Sequence, residues 1–163
     1  MDFLDKISRF LNKILVWMAV VFLVAMMFLT CSNIFLRMLW LPVKGTFELM
    51  GYFGAIVTAF ALGYTQIKRG HIAVTILVDS FSKRARKILT GTNNLTCMLF
   101  FALAAWQSGK YATSLLKAGE VTETLRIIYY PFTYGVALGF ALLSLAFLVE
   151  ILQSLFPEKE GEQ

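Results

Sequence analysis

The chain has 163 residues, 58% of them hydrophobic and 15% charged, with a formal net charge of +5 and a mean hydropathy of +0.71. An ordinary soluble domain is roughly 45–50% apolar and about 25% charged, and one this short leaves too much surface wet to hide such an excess. These values exclude a soluble globular domain and an intrinsically disordered one; the solvent for most of the chain is lipid.

At the start, Phe3, Leu4, Ile7, Phe10, Leu11 and Ile14 fall on one helical face, opposite Asp2, Asp5, Lys6, Arg9 and Lys13. Residues 2–13 therefore read as an amphipathic helix lying at the membrane surface. Four stretches follow without Asp, Glu, Lys or Arg: 14–36, 49–67, 88–109 and 127–149, of 23, 19, 22 and 23 residues. About 20 apolar residues, rising about 1.5 Å each, cross a hydrocarbon core of roughly 30 Å. Lipid offers the backbone no hydrogen bonds, so each stretch satisfies its own as a helix. The expected architecture is a single integral membrane domain over 1–163, all-α, with spans at roughly 14–36, 48–67, 88–112 and 129–151. The first stretch is longer than a signal peptide's apolar run of about 7–15 residues and has no small-x-small site near Ala25, so it reads as a retained span.

Beyond the first span, Thr30, Ser32 and Asn33 make its end polar, and Arg37 and Lys44 mark an outer loop before Glu48. The second span carries Gly51, Ala55, Ala59 and Gly63 at intervals of four. After it, His71, Thr75, Asp79, Ser82 or Lys83, and Arg86 form a polar stripe, with Ile72, Ile76, Leu77, Phe81 and Ile88 on the other face. This pattern predicts a second interfacial helix over 71–86; a loop is the alternative, since short β-branched runs suit one. Thr90, Thr92, Asn93, Asn94 and Thr96 make the third span polar at its start, so its apolar body begins near Leu95 and the helix projects past Lys110. The fourth span opens near Pro131 and contains Gly135 and Gly139 as GxxxG, with Ala137 and Ala141 offset by two. Small residues let helix backbones approach closely in lipid. They fit either the internal packing of a four-helix bundle or docking onto another membrane subunit.

Ten of the fifteen basic residues sit at the two ends of the chain and in the 68–87 loop; the other five are Arg37, Lys44, Lys110, Lys117 and Arg126. By the positive-inside rule both termini and the 68–87 loop are expected in the cytoplasm. Trp40, Trp106, Tyr111, Tyr129, Tyr130 and Tyr134 mark the outer interface, Trp17 and Tyr64 the inner one. Anionic phospholipids account for the basic balance without nucleic acid.

Little here supports chemistry. One histidine, His71, cannot provide paired haem ligation, and Cys31 and Cys97 lie in different spans without a C-x-x-C pattern. No nucleotide-binding glycine motif occurs. Glu48 and Glu150 sit at span ends, and no acidic residue lies near a midplane, where a coupled transporter keeps its ionisable groups. Neither catalytic nor metal-binding nor substrate-binding residues are expected, and no cofactor.

Four spans with both ends inside, in a chain of this size, resemble the small membrane subunit of tripartite ATP-independent periplasmic (TRAP) transporters. The closer likeness runs over 33–79: Asn33 and Arg37 closing the first span, Pro42 in the outer loop, Glu48 opening a glycine- and alanine-rich second span, then Lys68-Arg69-Gly70-His71-Ile72-Ala73-Val74. Pro131 and Gly135 are similar as well. The chain departs from the pattern at Thr75, where the family often has an aspartate; Asp79 follows one turn later. The resemblance implies a non-catalytic scaffold in the cytoplasmic membrane of a bacterium or archaeon. Its partners would be a large multi-span subunit, elevator-like and holding the substrate and sodium sites, and a periplasmic protein that delivers small organic acids. The competing reading is a self-sufficient four-helix protein, either a homo-oligomeric exporter or the anchor of an enzyme complex.

Overall fold

The computed structural model describes residues 2–41, 43–67 and 83–155. They form four helices: α1 (Asp2–Met38), α2 (Thr46–Ile67), α3 (Lys83–Ala118) and α4 (Tyr130–Leu155). Each contains a segment long and apolar enough to cross a membrane, namely Ser8–Met38, Thr46–Gln66, Ile88–Ala118 and Tyr130–Leu152. The only β-type pairing among the described residues is one isolated bridge between Val121 and Ile128. The chain is an all-α, multi-pass membrane protein.

No glycine or proline interrupts α1, so its 37 residues run unbroken. At about 1.5 Å per residue it reaches well beyond a hydrocarbon core of roughly 30 Å. Residues 2–13 are thus continuous with the first span: nothing at the 13–14 junction stops the backbone from continuing. The side of this extension facing the protein is also polar, with Ser8 and Asn12 buried while Phe10, Leu11 and Ile14 stay exposed. At the far end, Leu41 N donates to Leu36 O (2.9 Å) and Trp40 N to Arg37 O (3.1 Å), with Trp40 at φ 60. This is a Schellman stop in which tryptophan holds the left-handed position usually given to glycine. The end of α3 uses a glycine there, Gly119 at φ 65, whose N–H reaches Leu115 O at 3.0 Å.

Helices α2 and α4 meet backbone to backbone at a glycine. A Cβ added at Gly139 would lie 2.9 Å from the backbone of Ala59, so the two backbones meet at a distance only glycine permits. One turn away, Gly135 faces Ile56, where an added Cβ would sit at an ordinary 3.6 Å. Leu15 and Ala19 of α1 join Ile56, Ala59 and Phe60 of α2 in the buried core, flanked by Phe22, Phe132, Val136 and Leu142. Phe22 meets Phe53 with ring centroids 5.2 Å apart. On the other flank α3 packs on α4: Phe101 lies 5.9 Å from Phe140 and 6.1 Å from Phe147, and the Ser144 hydroxyl donates to Met98 O at 3.1 Å.

Helix α1 packs on α2 and touches α4 more lightly, whereas α3 makes no extensive contact with α1 or α2. The closed four-helix bundle that the small residues allowed is therefore not formed. The described helices stand in an open order, α1–α2–α4–α3, with α2 and α4 as the spine. The reason is geometric: the glycines that let α2 and α4 meet draw those two together, and α1 and α3 take opposite sides of the pair.

This packing sets an expectation for two glycines. Gly139→Leu forces a side chain into the Ala59 backbone and should destabilise by about 1–3 kcal/mol, the usual cost of overpacking. Gly51→Ala meets nothing within 4 Å and should change stability by less than about 0.5 kcal/mol. Thermal melts of both variants in the same detergent check the contrast.

Candidate functional site

Two carboxylates organise the two ends of the structure. Glu48 lies in the first turn of α2, which Gly45 precedes, its carbonyl accepting from Leu49 N at 3.1 Å. Gly45 adopts φ 76, and a side chain there would run into Leu125. From this position the Glu48 carboxylate accepts hydrogen bonds from Thr124 N (2.8 Å) and Leu125 N (3.3 Å) in the α3–α4 loop. Charge-assisted bonds of this kind are stronger than neutral ones, and they join the two loops at this end.

The α3–α4 loop is itself tightly bonded. Thr122 is buried; its N–H donates to Ile127 O (3.0 Å), its carbonyl accepts from Arg126 N (3.1 Å), and its hydroxyl accepts from Ile127 N (3.2 Å). Arg126 sits at φ 52, the reversal that turns the chain back on itself. The Tyr129 hydroxyl donates to Glu120 at 2.6 Å, and that hydrogen bond holds the phenol protonated well above its usual range. Tyr52 stacks between Tyr129 and Phe132, each 5.5 Å away, which continues the loop contact into the spine. Across the other loop, Asn33 Oδ1 accepts from Val43 N at 3.1 Å.

At the opposite end Glu150 of α4 accepts from Gln66 Nε2 of α2 (2.9 Å) and Asn94 Nδ2 of α3 (3.1 Å) on the same oxygen. One carboxylate thereby links three helices. Nearby, Asn12 Nδ2 donates to Ser8 O at 2.9 Å, and Asn12 Oδ1 presses on Gly63 where any side chain would collide with it. Between the ends, the Thr30, Thr58, Thr65, Thr96 and Thr113 hydroxyls donate to the carbonyl four residues earlier. Lipid supplies no partner for a hydroxyl, so the helix itself does.

The residues singled out in the sequence separate accordingly. Ala59 and Gly63 are buried and Gly135 and Gly139 face α2, but Gly51 and Ala55 are exposed, so only half of the α2 stripe takes part in internal packing. Of the three outer-face residues Glu48 is engaged as described, while Arg37 and Lys44 are exposed and do not meet it. His71, Thr75 and Asp79 lie outside the described residues; Arg86 falls in the first turns of α3. Helix α3 does continue beyond Lys110, to Ala118. The roles of Glu150, Gln66, Ser8 and Asn12 escaped the sequence reading, whereas Asn94 stood out in the polar start of the third span and its interhelical bond accounts for it. A signal existed for two of the four, since Ser8 and Asn12 recur with Leu15 and Ala19 at helical spacing on one face.

Removing the Glu48 carboxylate should free the loop it holds. In Glu48→Ala the Thr124 and Leu125 amides lose their acceptor. Their hydrogen exchange should quicken by tenfold or more, whereas Lys44→Ala should leave it unchanged.

No curated protein matches the chain. The family model for tripartite ATP-independent periplasmic transporters, DctQ component, matches residues 26–156. That stretch runs from the middle of α1 to the end of α4 and includes both Glu48 and Glu150. In these transporters the DctQ component works with a large membrane subunit and a periplasmic binding protein. Four membrane-crossing helices, ends tied by internal carboxylate bonds, and a family match over most of the chain agree: this protein belongs to the DctQ family, the small membrane subunit of TRAP transporters.

Proposed function

We propose that this chain is the non-catalytic scaffold of a sodium-coupled importer of small organic acids in a bacterial or archaeal cytoplasmic membrane. It supports the large elevator-type subunit and helps to dock the periplasmic binding protein. The observation that carries this reading is the employment of the two acidic residues in the spans. Glu48 is occupied by two backbone N–H groups and Glu150 by two side-chain amides, both at helix ends. Intramembrane ionisable groups mark solute and ion pathways by default; these two act as internal fasteners. Substrate and sodium sites are then carried by the large subunit.

The exposed flank of α1 fits such a partner. Trp17, Val21, Phe28 and Phe35 on α1 all stand outside the core. With the 68–87 loop and both termini in the cytoplasm, the Glu48-tethered loops face the periplasm. A loop shape held by five short-range bonds presents a constant surface to a binding protein that arrives and leaves.

Two measurements test the reading. Reconstituted alone in vesicles, the chain should take up no organic acid under a sodium gradient, and the tagged chain should co-purify with a multi-span membrane protein. Robust uptake by the chain alone would overturn the scaffold role. Topology is read separately by cysteine labelling in a background lacking Cys31 and Cys97. Cysteines at Lys44 and Lys117 should react with an impermeant reagent from outside intact cells, and those at Arg84 and Lys159 should not; labelling at 84 reverses the orientation.

A further inference from the structure

We propose that the 106–117 stretch of α3 is a binding site for the phosphate of an anionic phospholipid. Trp106, Lys110, Ser114 and Lys117 recur at intervals of three and four, so they share one face of the helix. Ala112 and Leu115 are buried on the other side, and all four residues of the stripe are exposed. The Lys110 ammonium stands over the Trp106 ring, 5.4 Å from its centroid. Beside them runs a shallow groove of about 550 Å³, lined by Gln107, Lys110, Tyr111, Thr113, Ser114 and Lys117. The Thr113 hydroxyl and the Tyr134 hydroxyl, 3.0 Å apart, tie this part of α3 to α4 and set which way the stripe faces.

Charge and depth together name the occupant. Three carboxylates lie at this end, Glu48, Glu120 and Glu123, against five basic residues, Arg37, Lys44, Lys110, Lys117 and Arg126, and the hydrogen bonds of Glu48 and Glu120 go to Thr124, Leu125 and Tyr129 rather than to the lysines. On the span side of Trp106 the same face continues as exposed Leu103 and Leu99, a track for an acyl chain. Lys110 stands one turn, about 6 Å, beyond Trp106, within the headgroup layer of about 5–7 Å that flanks the hydrocarbon on each side. Helical side chains lean toward the helix N-terminus, which for α3 means back toward the bilayer, and a lysine stem lies along apolar surface while its ammonium seeks the polar layer. Lys117 therefore leans down over Ser114, a neutral donor, toward the layer in which Lys110 stands, so that the three form one polar face for the phosphate. An acidic protein surface would match the charge but not the apolar track below it.

Trp106 reports occupancy directly. In the full chain with Trp17→Phe and Trp40→Phe, its fluorescence is followed in phosphatidylcholine nanodiscs doped with dibrominated phosphatidylglycerol or dibrominated phosphatidylcholine. The anionic lipid should quench at a several-fold lower mole fraction than the zwitterionic one. Lys110→Gln and Lys117→Gln should each weaken that preference by about fivefold, with helicity and melting temperature unchanged. The double Lys→Arg variant should keep the preference, since guanidinium also pairs with phosphate, and this separates loss of charge from loss of fold. Equal quenching by the two lipids, or a preference that survives the double Gln variant, overturns the site. So does a double Gln variant that keeps the lipid preference but, in the assembled transporter, no longer captures the purified periplasmic binding protein; the stripe would then be a protein contact.

Discussion

The rest of the structure depends on the approach of α2 and α4 at Ala59 and Gly139. In lipid no hydrophobic gain draws two helices together, so their association rests on close packing and on hydrogen bonds between side chains. With no Cβ at 139, the backbones meet closely enough for both to contribute. Gln66 then reaches Glu150 at one end, and Tyr52 slides between Tyr129 and Phe132 at the other. The paired helices also create the surfaces on which the flanks settle. Helix α1 lays Leu15 and Ala19 against the α2 side, and α3 places Phe101 against two phenylalanines of α4.

Polar groups are kept where they can be satisfied. The spans hold two carboxylates, at their ends, and each is bonded from more than one element. Glu48 joins loops that are far apart in sequence, and Glu150 joins three helices. Buried Ser8 and Asn12 are the exception, with the Ser8 hydroxyl and Asn12 Oδ1 lacking hydrogen-bond partners. Gly63 makes room for that amide oxygen, whose contact with the glycine Cα fits the weak C–H···O interactions that recur where helices cross closely. Because these polar contacts are internal, none of them has to be exchanged when another surface packs against the helices.

The spans were legible because charge is so costly in lipid that its absence alone marks them; the stop at Trp40 was not, since tryptophan there holds a left-handed position usually given to glycine. Gly135 and Gly139 were legible as a close-approach motif. The Gly51–Ala55–Ala59–Gly63 series was only half informative, because a four-residue step drifts by roughly 40° per repeat on a helix of 3.6 residues per turn. Over three steps the stripe rotates about a third of the way round, so Gly51 and Ala55 leave the face that Ala59 and Gly63 share with the neighbouring helices. Helix order was not legible at all. Pattern gives each helix an apolar surface but does not say which helix covers it, and in a membrane the alternative cover is lipid. The partners of Glu48 and Glu150 were hidden for the same reason: Thr124 and Gln66 are far away in sequence and ordinary in type.

The central claim is the open order of the helices, with α2 and α4 between flanks that do not meet. A cysteine cross-linking scan in native membranes, in a background lacking Cys31 and Cys97, tests it most directly. Pairs replacing Phe22 with Phe53 and Phe101 with Phe140 should close under mild oxidation, reporting the α1–α2 and α3–α4 contacts. Pairs between α1 and α3, such as Val21 with Leu99 or Phe28 with Leu103, should stay open at every depth tried. Efficient closure within one chain of any α1–α3 series at helical spacing would mean that the four helices form a closed bundle, and the account would be wrong at its base.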